Sequence, residues 1–456
     1  MTAERESGGK GGRGGMGGSG PRSAELGTWK SEPPSVRIER IAAGGDGIGR
    51  LPDGRAVFVP RTAPGDLIEL GRLRQHARFA RARVTRVLEP GPGRVEPRCQ
   101  HYQADDCGGC QLQHLAPEAQ LEAKRAIVGD TLERIGKLRF AVPPAVTGTA
   151  WWEYRSRITL ALGPGRRHAG FHPLDQPGRV FPLERCHLAA PPLMQLWQLL
   201  RPHLMLLPPD VEQLLLRLDR SGGRHLVVKA RGEQAWTGGA RLSERLAGAA
   251  TIWWQPDDGA PRVVAGDREA FPATVFEQVN PGLGDMIQEF ALDQLGNVSL
   301  AHVWDLYAGV GGTTDRLLAR GATVESVELD RRAVEQGERR WRATRHEPED
   351  SQRPEPAGAI RHVGKVEEIV GRMRDPGAVI SNPPRAGMDR VATAELIARR
   401  PARLVYVSCD PATLARDLGW LCGTLGPGGP YRLVAVQPFD LFPQTAHVET
   451  VAVLEA

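Results

Sequence analysis

From about residue 276 onward, short apolar runs alternate with amphipathic stretches, and this alternation constrains the fold more than any other feature. "HVWDL" reads as a strand, "YAGVGG" as a turn, "TTDRLLARG" as a helix and "TVESVE" as a second strand. A helix, the strand "GAVIS", another helix and the strand "RLVYVS" follow. "RLVAVQPFDLF" and "HVETVAVLEA" then read as an antiparallel closing pair. Such a pattern predicts an α/β domain with a doubly wound, Rossmann-like sheet. Ligands of these sheets bind beyond the carboxyl ends of the strands, so residues at those ends carry the functional signal.

Three strand ends carry chemistry-bearing residues. The run Asp305 to Gly312, "DLYAGVGG", opens a helix with glycines that let backbone approach a ligand. Glu328 ends the next strand, where a carboxylate can grip ribose hydroxyls. No phosphate-binding lysine follows the glycines. A nucleoside ligand is therefore expected, either a nicotinamide dinucleotide or S-adenosylmethionine. Asn382-Pro383-Pro384-Arg385 follows the next strand. Asn-Pro-Pro before an aromatic residue would suggest methylation of an exocyclic amine. Arg385 counts against that, and a rigid turn is the bland alternative. Cys409 ends the strand in "VYVSCDPATL". A lone cysteine is usually a small core residue. Placement on the same edge as Glu328 and Asn382 favours a nucleophile instead. Cys422 lacks that placement and reads as a core thiol.

The rest of the 456-residue chain divides by texture. Residues 1–34 are Gly-rich and charged, too poor in apolar surface to fold, and read as a disordered tail. Residues 35–93 carry short strands punctuated by Gly44-Gly45-Asp46-Gly47, Asp53-Gly54 and Pro64-Gly65-Asp66, which predicts a small OB-like β-barrel. Its later strands hold Arg72, Arg74, Arg78, Arg81, Arg83 and Arg86, a solvated face that also suits an RNA backbone. A net charge of +5 permits a nucleic-acid partner without requiring one. Residues 94–275 read as a central α+β domain in which Trp151, Trp152, Trp253 and Trp254 are packing residues. Cys99, Cys107 and Cys110, half of the six cysteines, stand close in sequence, which points to a metal site, with Cys186 as the natural fourth ligand. Zinc and an iron–sulfur cluster both remain open at this point. The N-terminus lacks an apolar signal region and no long apolar run occurs, so a soluble, cytoplasmic monomer without a membrane partner is expected.

Taken together, these motifs resemble the RNA uracil-5-methyltransferases, in particular their iron–sulfur-containing 23S rRNA branch. "GDGIGR", "DGRAVFVP" and "PGD" look like the family's TRAM barrel, and "CGGCQLQH" like its cluster motif. "FEQVN" (Phe276 to Asn280), "DLYAGVGG", "NPPRAG", "YVSCDPATLARD" and "FPQTAHVE" follow in the family's order. Asn382 stands where many members carry Asp, and Asp410 where Asn is frequent.

The resemblance implies S-adenosylmethionine as methyl donor, with Gln278, Tyr307, Gly312, Glu328 and Asn382 contacting it. It implies Cys409 as the nucleophile that adds to C6 of a uridine, and Glu449 as the base that removes the C5 proton. It implies a [4Fe-4S] cluster on Cys99, Cys107, Cys110 and Cys186. The expected partner is RNA, 23S rRNA first and uridine 54 of tRNA as the alternative. Two other classes stay open: an amino-methyltransferase, which needs no cysteine, and a non-catalytic RNA-binding iron–sulfur protein.

Overall fold

The computed structural model describes residues 34–232, 236–257, 259–268, 277–344, 358–426 and 428–456. The expected disordered tail, up to residue 33, and Phe276 of "FEQVN" lie outside the described residues.

The first five strands, β1 (Ser35–Ile41), β2 (Gly47–Arg50), β3 (Ala56–Val59), β4 (Leu67–Gln75) and β5 (Phe79–Glu89), close into a barrel of order β1-β2-β3-β5-β4. Alternation along each strand turns Val36, Ile38, Val57, Val59, Ile68 and Leu70 inward, where all are buried. Arg81 pairs with Asp46, Arg83 with Asp106 and Asp175, and Arg86 with Glu69. Arg72, Arg74 and Arg78 are exposed and form no ion pair among the described residues.

The central region holds a second sheet of seven strands, which the sequence pattern did not resolve. They are β6 (Arg157–Leu162), β7 (Ala169–Phe171), β8 (Phe181–Pro182), β9 (Val211–Leu218), β10 (Arg224–Ala230), β11 (Thr251–Pro256) and β12 (Arg262–Ala265), in the order β12-β11-β10-β9-β6-β7-β8. Trp253 and Trp254 on β11 are buried, as packing residues should be.

The third sheet is formed by β13 (His302–Leu306), β14 (Thr323–Glu328), β15 (Ala359–Val363), β16 (Ala378–Ser381), β17 (Arg403–Ser408), β18 (Arg432–Phe439) and β19 (Glu449–Glu455). Its order is β15-β14-β13-β16-β17-β19-β18. The first five run parallel, while β19 is antiparallel to both β17 and β18. The order reverses between β13 and β16, so the switch point lies between Leu306 and Ser381. One face is covered by helices that include α1 (Pro117–Arg134), a segment expected to belong wholly to the central domain. Its Ile127, Val128 and Leu132 share one core with Trp304, Tyr406, Leu414 and Leu418. The other face is covered by α2 (Pro281–Gln294) and α3 (Gly312–Ala319), through Ile287, Leu292 and Leu317.

Candidate active site

The turn from β13 to α3 is unusual in its backbone. Tyr307 has φ 63°, Gly309 56° and Gly311 74°. A non-glycine residue there costs roughly 1–3 kcal/mol and persists only where its surroundings fix it. Here the Glu328 carboxylate does part of that work. Its Oε2 accepts the Gly309 N–H at 2.8 Å and its Oε1 accepts the Asp330 N–H at 2.8 Å. Nothing lies within 4 Å of where a Cβ on Gly309 would project, so the loop's outer side is open. Gly312 begins α3. Below it, Thr314 Oγ1 donates to Asp305 Oδ2 at 2.6 Å, and burial raises the Asp305 carboxyl to about 6. Asn382 donates its backbone N–H to Leu306 O at 3.1 Å, fastening the two sides of the switch point. Gln278 stands on the segment entering α2, and its carbonyl accepts from Ser156 Oγ at 3.4 Å.

The Asn382–Gly387 loop is held by α4 (Pro411–Leu421). Thr413 Oγ1 donates to Arg385 O at 3.1 Å and Arg416 Nη2 to Ala386 O at 2.8 Å. Gly387 has φ 81°, and a Cβ there would come 2.4 Å from Asp417 Oδ2. Only glycine fits so close an approach in that conformation. The buried Asp417 carboxylate in turn accepts from Tyr406 Oη at 2.7 Å and from Met388 N at 2.8 Å. This clamp sets Arg385 where its charge lowers the Cys409 thiol.

Cys409 is half-buried between the end of β17 and the start of α4. Asp410 is the helix N-cap, its Oδ1 accepting from Ala412 N and Thr413 N at 3.0 Å each, and Pro411 occupies the first helical position. Cys409 thus stands immediately before the N-cap of a helix. Burial raises the Cys409 thiol, the charge of Glu449 raises it further, and Arg385 works in the opposite direction.

Glu449 opens β19, opposite Phe439 on β18. The Ser408–Thr450 pairing on its other side makes Cys409 its next cross-strand neighbour. Glu449 is 2% exposed. Burial raises its carboxyl to about 8, against the pull of Arg385. Such a group lies near neutrality, where a general base works best. Burial, with Arg385 nearby, also lowers His447 to about 4, so that imidazole is neutral at pH 7.

The four cysteines gather away from this edge, in the central region. Cys99, Cys107 and Cys110 each feel the charge of Cys186. Burial raises Cys107 to about 11 and Cys110 to about 12. Two guanidiniums flank them. Arg61 Nη2 donates to Cys107 O at 3.1 Å, and Arg155 lies in the field of Cys110 and Cys186. Both have a buried Nε with no hydrogen-bond partner. Among the described residues, no three His, Cys, Asp or Glu side chains are set to hold a single metal ion.

The sequence reasoning noted Arg385 only as evidence against one chemistry. In the structure its charge lowers both the Cys409 thiol and the Glu449 carboxyl. Its signal was the position itself, four residues past a strand end on the ligand-binding edge.

Comparison with known proteins gives a consistent picture. Residues 357–456 match the model of the tRNA (uracil-5-)-methyltransferase family, and residues 35–87 match the TRAM domain. A 23S rRNA (uracil(1939)-C(5))-methyltransferase of Thiobacillus denitrificans is 32% identical over 92% of this chain and 99% of its own. An RNA methyltransferase of Thermosynechococcus vestitus, itself uncharacterized, is 32% identical over 92% of this chain and 97% of its own. In fold, the chain resembles the Pyrococcus abyssi tRNA (uracil-54, C5)-methyltransferase solved with S-adenosyl-L-homocysteine. That likeness has a TM-score of 0.67 at 22% identity, covering 92% of this chain and 99% of that one.

Proposed function

The chain belongs to the RNA uracil-5-methyltransferase family, and from that premise we propose that it methylates C5 of a uridine in 23S rRNA through a covalent adduct on Cys409. The observation that carries this reading is the register that sets Cys409 beside Glu449, with the charge of Arg385 acting on both. An amino-methyltransferase needs neither a thiol nor a buried carboxylate there. The choice of 23S rRNA rests on the full-length similarity to the rRNA enzyme of Thiobacillus denitrificans.

The open glycine turn, with Glu328 at its side, fits a nucleoside. S-adenosylmethionine, when bound, supplies an electrophilic methyl group. Tyr307, Gly312, Glu328, Asn382 and Gln278 are the residues assigned to hold it. Cys409 adds as thiolate to C6 of the flipped uridine, forming the C6–S bond and moving an electron pair toward C5. C5 then takes the methyl group as the donor's C–S bond breaks. Glu449, as carboxylate, removes the C5 proton. The electrons of that C–H bond restore the C5–C6 double bond and expel the Cys409 thiolate. Arg385 stabilises the negative charge on sulfur at both ends of this cycle. The exposed barrel arginines Arg72, Arg74 and Arg78 are assigned to the RNA backbone.

Cys99, Cys107, Cys110 and Cys186 are assigned to a [4Fe-4S] cluster. The buried, unpartnered Nε atoms of Arg61 and Arg155 suit the negative charge of four thiolates on such a cluster. When held, the cluster would cross-link chain segments from Cys99 to Cys186.

Glu449→Gln tests the mechanism. Addition and methyl transfer survive, proton removal stalls, and enzyme linked to methylated RNA accumulates as a slow band on a denaturing gel. Cys409→Ala abolishes that band. Wild-type turnover by Glu449→Gln, without adduct, would show that Glu449 is not the base.

A further inference from the structure

The loop between β18 and β19, Asp440 to Val448, delivers Glu449 to its place. Its polar backbone is held largely from outside the third sheet. Asp440 N donates to Val146 O at 2.7 Å, and Leu441 O accepts from Asn280 Nδ2 at 3.2 Å. Phe442 O accepts from Lys124 Nζ at 3.0 Å, and Pro443 O accepts from Tyr154 Oη at 3.0 Å. The same Lys124 ammonium pairs with Asp440, both side chains being fully buried. Gln444 is the pivot of the loop. It is 4% exposed and has φ 70°, a conformation that a non-glycine residue holds only under constraint.

That constraint comes from one stretch of chain. Gln444 N donates to Gln120 Oε1 at 2.9 Å, and Gln120 Nε2 donates to Gln444 Oε1 at 3.0 Å. Gln444 O accepts from Gln111 N at 3.1 Å and from Leu112 N at 3.0 Å. Gln111 Oε1 accepts from Ala446 N at 3.4 Å, while Gln111 Nε2 donates to Gly108 O at 2.9 Å. Gln111 is thus bonded on one side to the Cys107–Cys110 hairpin and on the other to the loop. Gly45 of the barrel completes the junction. A Cβ there would lie 2.5 Å from Gln111 Cβ and 3.1 Å from Ala446 Cβ.

We propose that Gln111, Gln120 and Lys124 are positioning residues. They clamp the loop so that β19 enters the sheet with Glu449 beside Cys409, and the clamp is anchored in the cysteine hairpin. This rests on the reading of Glu449 as the base. The cysteine site then has a mechanical consequence at the reacting carbon, with no electron or proton passing between the two.

The test uses hydrogen–deuterium exchange on the full-length protein, read on the peptide spanning residues 440–449. Gln120→Ala and Gln111→Ala should each speed exchange there about tenfold, the worth of one or two hydrogen bonds, and leave β13 and β14 unchanged. Cys110→Ser should do the same by releasing the hairpin. With RNA, Gln120→Ala should lower kcat, leave KM for RNA unchanged and raise the fraction of enzyme trapped as adduct. Faster exchange without trapped adduct would support the clamp and remove Glu449 as the base. Unchanged exchange in Gln120→Ala and Gln111→Ala would overturn the clamp, and unchanged exchange in Cys110→Ser alone would overturn its anchoring in the hairpin. Gln111 is only partly buried, so its variant folds even where Gln120→Ala does not.

Discussion

Cys409 and Glu449 are cross-strand neighbours one step beyond the Ser408–Thr450 pair, at the edge where β17 ends and β19 begins. The charge of Glu449 opposes ionisation of the Cys409 thiol. Arg385 is the cation that opposes both upward shifts. Thiolate and carboxylate are needed at different moments of the proposed cycle, and this opposition disfavours holding both charges at once.

Loss of the C5 proton should follow the ionisation of Glu449. Burial raises that carboxyl to about 8. Release of tritium from RNA labelled at uridine C5 should rise about tenfold per pH unit below that value and level off above it. A flat profile from pH 6 to 8 would remove Glu449 from this step.

The same shift sets a stability trend. A folded carboxyl raised above its usual 4.5 keeps a proton that the unfolded chain has released, so stability falls as pH rises from there to about 8. Glu449→Gln escapes this penalty. Thermal unfolding should give equal midpoints for variant and wild type near pH 5, and a higher midpoint for the variant at pH 8.

Arg385→Met should leave the Cys409 thiol with burial and Glu449 acting against ionisation and nothing from Arg385 to offset them. Alkylation of Cys409 by iodoacetamide at pH 8, read by peptide mass spectrometry, should slow about tenfold for each unit its pKa climbs. Arg385→Lys should recover part of the rate. Equal rates in all three proteins would show that Arg385 does not tune the thiol.

Protein purified anaerobically should be brown, with about four irons per chain, the count of one [4Fe-4S] cluster. Cys186→Ser should lose iron as fully as Cys107→Ser. Zinc in place of iron, from iron-replete cells, would overturn the cluster assignment.

Replacing Arg72, Arg74 and Arg78 together by Gln should weaken RNA binding most at low salt. The slope of log affinity against log salt should fall by about 2–3, one counterion for each phosphate that the barrel no longer neutralises. Binding of S-adenosylhomocysteine, measured by calorimetry, should not change. An unaltered slope would place the RNA grip elsewhere.

Much of the fold was legible because its signals are local. Turn glycines between alternating strands marked the barrel, and strand–glycine–helix spacing marked the third sheet. The strand β15 was not legible: its AIRHV run carries charge and lies half-exposed at a sheet edge. Cys409 was singled out by its place at a strand end and Glu449 by motif resemblance, and their cross-strand placement needed the register. Gln120 and Gln444 were invisible because their partnership spans 324 positions and depends on one left-handed residue. No periodicity in the sequence encodes such a pairing.

The position of β19 makes the site depend on a strand that is inserted out of sequence order. In sequence β17 is followed by β18, yet in the sheet β19 comes between them. β18 and β19 form a hairpin, so β19 reaches β17 only when the chain from Ser408 to Glu449 closes around β18. Pairing of β19 with β17 is what brings Glu449 beside Cys409. On the proposed mechanism, a molecule in which that last pairing had not formed would be unable to release RNA from the thiol.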